Sequence, residues 1–236
     1  MLDILYQDDY LAVLNKPAGW LVHRTPLDKG ESRFVLQTLR DQIGQPVWPV
    51  HRLDKGTSGV LVFALSSEVA STLGLAFESG EGLQKRYRAI VRGWPADEQF
   101  IDHPLRRMPD DMRRQREEMQ SAQTRLMTLR RGELPIPQGD FANLRWAEVQ
   151  LQPLSGRRHQ LRRHMKHIAH PIMGDATHGK GPLNRTVAAH LGLQRLWLHA
   201  SALVLTHPVS GQALHVQAAP GPEWARWSPA SGLSPA

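Results

Sequence analysis

The sequence predicts an α+β fold built on a mixed, mainly antiparallel β-sheet with flanking helices and loops. Three observations support this. Short runs with two-residue apolar alternation recur along the chain, and pairs of them flank turn-forming residues as hairpins. Segments with helical spacing are interspersed among them without a regular strand–helix alternation. The chain is 236 residues long and 41% apolar, enough for one large domain or two small ones with an ample core.

From the N-terminus, LDILYQDDYLAVLNKPAG alternates around Gln7-Asp8-Asp9 and predicts a hairpin ending at Pro17-Ala18-Gly19. Phe34 to Ile43 has helical spacing and stops at Gly44. Val60 to Leu65 reads as a buried strand and Glu68 to Phe77 as a helix. Gln84 to Trp94 is two-faced: Tyr87, Ala89 and Val91 fall on one side, and Arg86, Arg88 and Arg92 on the other, facing solvent. Residues 104–140, rich in Arg, Glu, Gln and Met and punctuated by prolines, are expected to be a partly helical surface insertion. Arg145 to Leu151 is a strand, His159 to Ile168 a helix, and Leu198 to Leu205 with Leu214 to Val216 a closing hairpin. Residues 1–219 are expected to form one domain, and 220–236 a frayed tail.

Composition narrows the function classes. Without cysteine there is no disulfide, thiolate nucleophile or thiolate metal ligand. The opening MLDILYQDDY has neither a basic n-region nor a long apolar run, so a cytoplasmic protein with no membrane partner is expected. The net charge of +7 is concentrated: Arg106 to Lys166 holds 14 basic and 7 acidic residues. Such a local excess favours a polyanionic partner, though a solvated surface has the same composition.

One stretch carries the chemistry. In His51-Arg52-Leu53-Asp54-Lys55-Gly56-Thr57-Ser58-Gly59, an aspartate sits in a loop rich in small residues just before a buried strand. Arg52 lies close enough in sequence to favour the ionised, nucleophilic carboxylate. By residue type alone, the ordinary reading is a turn whose Asp, Thr and Ser satisfy backbone groups. The histidines at 159, 164, 167 and 170 include spacings of three residues but no HExxH pattern. They are read as helix packing and contacts to the polyanionic partner, with no metal.

That stretch resembles the HRLDxxTSG signature of the RluA-type pseudouridine synthase family. Other segments follow in family order: Asn15-Lys16-Pro17-Ala18-Gly19, then Lys85 to Gly93 in the pattern KxYxAxVxG, then Leu154 to His164 as LSGRRHQLRRH. Gly174-Asp175 and Arg195 to Ala200, with His207-Pro208, resemble the late family markers. The resemblance implies the pseudouridine synthase fold and a cofactor-free isomerisation of uridine in structured RNA. It implies Asp54 as the catalytic carboxylate, Tyr87 stacked on the flipped base, and Arg162 ion-paired to Asp54. Arg52, Arg157, Arg158 and Arg163 would contact RNA, the Arg157–Arg163 run roughly following one helical face.

Within that family, Gly19 to Arg24, Thr177-His178-Gly179 and the run LHASALVLTHP are most similar to bacterial members that act on tRNA. They imply tRNA as the partner, uridine 65 of its T stem as the target, and a monomeric enzyme. No separate basic domain precedes Asn15, which favours tRNA over rRNA as the expected substrate. The alternatives are an rRNA-directed relative and a catalytically silent RNA-binding scaffold. The intact Asp54 argues against the second.

Overall fold

A computed structural model describes residues 1–24, 30, 32–108 and 118–228. The chain divides into two compact units. The first comprises Met1–Arg86 with His199–Pro220, and the second Tyr87–Leu198 with the C-terminal residues.

The first unit opens with the expected hairpin. β1 (Asp3–Gln7) pairs antiparallel with β2 (Leu11–Lys16) across a turn in which Asp8 Oδ1 accepts from the backbone N–H groups of Tyr10 and Leu11. α1 (Val35–Ile43) ends at Gly44 in the left-handed conformation, where a helix C-cap favours glycine. β3 (Trp48–Pro49) and β2 both pair with β4 (Ser58–Ala64), every residue of which is buried. α2 (Ser67–Ser79) is capped by the Ser66 hydroxyl, which accepts from Val69 N–H, and it buries Val69 and Leu73. On the other side of β4 runs β11 (Leu198–Thr206), parallel to it, which forms a hairpin with β12 (Ala213–Gln217). Gly59, with φ +109°, makes the close approach of β4 to β11 possible, since a Cβ there would stand 2.1 Å from the Ala200 carbonyl oxygen. Leu11, Val13, Val60, Val62, Leu73 and Leu205 form the heart of this unit's core.

The second unit is an antiparallel sheet in the order β5-β10-β9-β6. Its strands are β5 (Gln84–Arg92), β6 (Glu98–Asp102), β9 (Gln123–Leu134) and β10 (Leu144–Pro153). β7 (Leu105–Arg106) and β8 (Met119–Gln120) form a separate two-stranded ribbon. One face of the large sheet packs Ala89, Val91, Leu126, Val149 and Leu151 against Leu161 and Met165 of α3 (Gln160–His167). The other packs Ile90, Leu144 and Trp146 against Val187 and Leu191 of α4 (Gly181–Leu191).

Three expectations are corrected here. Residues 104–140 are not mainly a surface insertion: β9 is a twelve-residue strand inside the sheet, with Thr124, Leu126, Gly132 and Leu134 turned inward. A bulge within it, at Leu129 opposite Glu148/Val149, switches the face its inward residues meet, so that Leu126 joins the α3 side and Leu134 the α4 side, while Arg and Met fill outward positions. Residues 109–117 lie outside the described residues. The second face of β5 is likewise not simply solvated. Ile90 is fully buried on it, and Arg88 and Arg130 both pair with the buried Glu148 carboxylate. The start of the expected tail is core. Pro222–Trp227 forms a 3₁₀ helix whose Trp224 and Trp227 meet Trp197 and Trp146 edge to face, at centroid separations of 5.4–5.7 Å. Removing a side chain as buried as Trp227 would cost on the order of 3–5 kcal/mol.

Candidate active site

Asp54 sits in the loop leading into β4. The loop is tight: Thr57 N–H donates to the Asp54 carbonyl at 3.0 Å, Leu53 points into the core, Arg52 is exposed and Asp54 is half-buried. Its neighbour Lys55 is the anchor. The Lys55 carbonyl accepts from Gly19 N–H at 2.8 Å and from the Lys16 ammonium at 3.2 Å. Lys16 is 0% exposed, and its ammonium also donates to the carbonyls of Pro17 (3.0 Å) and Trp20 (2.7 Å). A buried cation surrounded by carbonyl dipoles is stable only while those contacts hold, so one ammonium fixes the Pro17–Trp20 loop to the Asp54 loop. The sequence suggested only a proline–glycine turn here. The available signal was a lysine ending a strand that opens with four apolar residues.

His51 fixes the other end of the loop. Its ring stacks on Phe77 with centroids 4.2 Å apart, and Nε2 accepts from Val62 N–H at 3.1 Å. Burial, together with the charge of nearby Lys85, pulls its pKa down to about 3, so it stays neutral. Beyond the loop, Ser58 Oγ lies 2.9 Å from His199 Nδ1, and His199 Nε2 lies 2.9 Å from the Ala218 carbonyl. A carbonyl only accepts, so Nε2 carries the hydrogen and Nδ1 accepts from the serine.

In the second unit, Tyr87 stands half-buried on β5 opposite Leu151, packed against the core beneath α3. The start of α3 is set by Gln160. Its side-chain oxygen accepts from Ser155 Oγ and Arg157 N–H, and its amide nitrogen donates to the Gln123 carbonyl and Thr124 Oγ1. His159 has φ 54°, so the helix begins only after it. Arg157 and Arg158 therefore precede the helix, and the expected single cationic helix face is not formed. Arg157 and Arg158 are exposed; Arg157 donates to the Ser121 carbonyl. Arg163, half-buried, donates to the Arg106 carbonyl.

Arg162 is the buried arginine of α3, 8% exposed. Its Nε and Nη2 form a fork with Asp175 at 2.7 and 2.8 Å. Asp175, 1% exposed, also accepts from the backbone N–H groups of Thr177 and His178. Burial pushes the Asp175 carboxyl up, but the hydrogen bonds from Arg162 and His178 outweigh it and hold its pKa below the usual range. The sequence assigned Arg162 a carboxylate partner and named Asp54; Asp175, noted only as part of a motif, takes these two bonds. His164 is buried between Thr124 Oγ1 and the His103 carbonyl, as helix packing requires. Among the described residues, no group of three or more His, Asp or Glu side chains is placed to hold a metal ion, and no helix is long and apolar enough to cross a membrane.

A half-buried loop aspartate ahead of a buried strand, and a buried arginine on a separate helix, are set in a mixed, mainly antiparallel scaffold. Residues 10–167 match the family model for RNA pseudouridylate synthase, and the chain belongs to that family of isomerases. It is 52% identical to tRNA pseudouridine synthase C of Vibrio cholerae over 95% of this chain and 93% of that protein. It is 48% identical to tRNA pseudouridine synthase C of Salmonella typhimurium, over 95% and 87%. Among solved structures it resembles Human RNA Pseudouridylate Synthase Domain Containing 1, with a TM-score of 0.75 and 27% identity, covering all of this chain and 91% of that one.

Proposed function

We propose that this chain converts a uridine of tRNA to pseudouridine, at position 65 of the T stem, with Asp54 as the catalytic carboxylate. The half-buried Asp54, held in a loop anchored by Lys16 at Lys55, is the observation that carries the reading. The relatives named for tRNA, similar along nearly the whole chain, support the choice of RNA.

The reaction breaks the bond from the ribose C1′ to N1 of uracil and makes a bond from C1′ to C5. C5 loses a proton and N1 gains one, so no atom or electron is exchanged with a cofactor, and none is assigned. Asp54 assists departure of the base by acting on the sugar. The target lies in a duplex and must be flipped out, at a cost of a few kcal/mol. Tyr87 stacks on the flipped base and offsets part of that cost. Arg162, steered by Asp175, pairs with Asp54 and keeps it ionised. Arg52, Arg157, Arg158 and Arg163 contact the RNA backbone, and the enzyme works as a cytoplasmic monomer without a metal.

The test is to incubate the protein with unmodified tRNA and rRNA and map pseudouridine by chemical derivatisation and sequencing. One new site in the tRNA T stem is expected. Modification confined to rRNA would overturn the choice of substrate.

A further inference from the structure

The second unit carries a cavity of about 400 Å³ that the proposed chemistry does not use. It lies at the far end of β5 from Tyr87. Five residues along the strand separate Tyr87 from Arg92, about 17 Å at the usual rise. The cavity is built from three segments. The end of β5 supplies Arg92 and then Trp94, which is 40% exposed and whose indole N–H donates to the Gly132 carbonyl. The β9–β10 connection supplies Phe141, which is 61% exposed. The residue is held at the surface because Gln138 and Phe141 exchange backbone hydrogen bonds across a tight turn. The loop after α3 supplies His170, whose Nδ1 donates to the Arg92 carbonyl at 2.7 Å. Gly93, with φ +76°, leaves room for that ring, since a Cβ would lie 3.0 Å from its Nδ1.

Arg145 joins the two aromatics. Its guanidinium carbon is 4.3 Å from the Trp94 ring centre and 5.6 Å from that of Phe141. The nearby carboxylate, Glu133, is engaged by Arg145 at 3.4 Å and by the Asn143 amide at 2.9 Å. Two arginines and a histidine thus surround two aromatic side chains that remain open to solvent. A flat ring attached to an anion matches this set: the ring stacks on Phe141 or Trp94 and the anion meets Arg92 and Arg145. The volume lies in the range of small-ligand pockets. In a protein that acts on RNA, a paired base shows no open face, so the occupant is an unpaired nucleotide.

We propose that this cavity is a second RNA site, distinct from the Asp54 loop, which captures an unpaired nucleotide of the substrate tRNA. The proposal rests on the tRNA reading above.

The test compares wild type with Phe141→Ala, Arg145→Ala and Trp94→Phe. Each is titrated with unmodified tRNA and with a fully paired RNA duplex carrying the same target uridine. Phe141 makes no side-chain hydrogen bond that its loss would break, so its variant guards against misfolding. Phe141→Ala and Arg145→Ala are expected to bind tRNA about tenfold more weakly, with KM raised in proportion and kcat unchanged. Trp94→Phe keeps a stacking ring and should lose less. Binding of the paired duplex should not change. Unaltered tRNA affinity in both alanine variants would overturn the proposal. So would an equal loss on the duplex, which would mark a backbone contact. Wild type that makes pseudouridine in tRNA while the variants bind normally would defeat this inference and leave the assigned activity standing.

Discussion

The two aspartates at the centre of this account are held in opposite ways. Asp175 is sealed from solvent and spends its oxygens on Arg162 and two backbone N–H groups. Asp54 is half-buried, and the bonds that fix its loop run through the backbone of its neighbours. A carboxylate saturated with donors is a structural element. One that is only half-buried, in a loop fixed through its backbone, is accessible to a substrate. The two therefore differ in what substitution should do.

The largest stability effect is expected at Asp175. Asp175→Asn leaves the Arg162 guanidinium in place with no charge partner at this fork, which should cost about 3–5 kcal/mol in denaturant unfolding. A loss below about 1 kcal/mol would place Arg162's main partner elsewhere. Lys16→Met keeps the side-chain stem but removes the donor shared by three carbonyls. Unfolding should be easier by about 1–3 kcal/mol, and turnover should fall because the Asp54 loop loosens. Full activity in that variant would show that the loop does not need this anchor.

A smaller effect concerns pH. The folded His51 pKa of about 3 lies below the ordinary value of about 6.5, so as pH falls the unfolded chain takes up the proton first. Its contribution is complete above pH 6.5 and is lost progressively towards pH 3, at up to about 1.4 kcal/mol per pH unit. His51→Gln keeps an acceptor for Val62 N–H and removes the titration. The wild-type unfolding midpoint should therefore fall more steeply than the variant's between pH 6.5 and 4. Parallel curves would contradict a neutral, structural His51.

What the sequence showed depended on how regular the local pattern was. The first hairpin, α1, β4 and α2 were legible because alternation, helical spacing and glycine stops coincide there. β9 was not, because a bulge within it turns the inward residues of its two halves to opposite faces of the sheet and arginines occupy outer positions. The C-terminal tryptophans gave no periodic signal; only contact with Trp146 and Trp197, distant in sequence, makes them core. At the site, the Asp54 loop was evident from its motif. The Lys16 anchor and the Asp175 partner of Arg162 were not, because each depends on a residue far away in the chain. The arginines around residue 160 read as one helical face only until His159, with its left-handed backbone, placed two of them before the helix.

Asp54→Asn should have the smallest stability effect of these substitutions, within about 1 kcal/mol, since Asn keeps an acceptor and Arg162 keeps Asp175. Its activity is the most direct test of the central claim. In a single-turnover assay with enzyme in excess over unmodified tRNA, the variant should bind the RNA with wild-type affinity. It should form pseudouridine at least about 10³-fold more slowly than wild type. Conversion at close to the wild-type rate would show that Asp54 is not the carboxylate on which this chemistry depends.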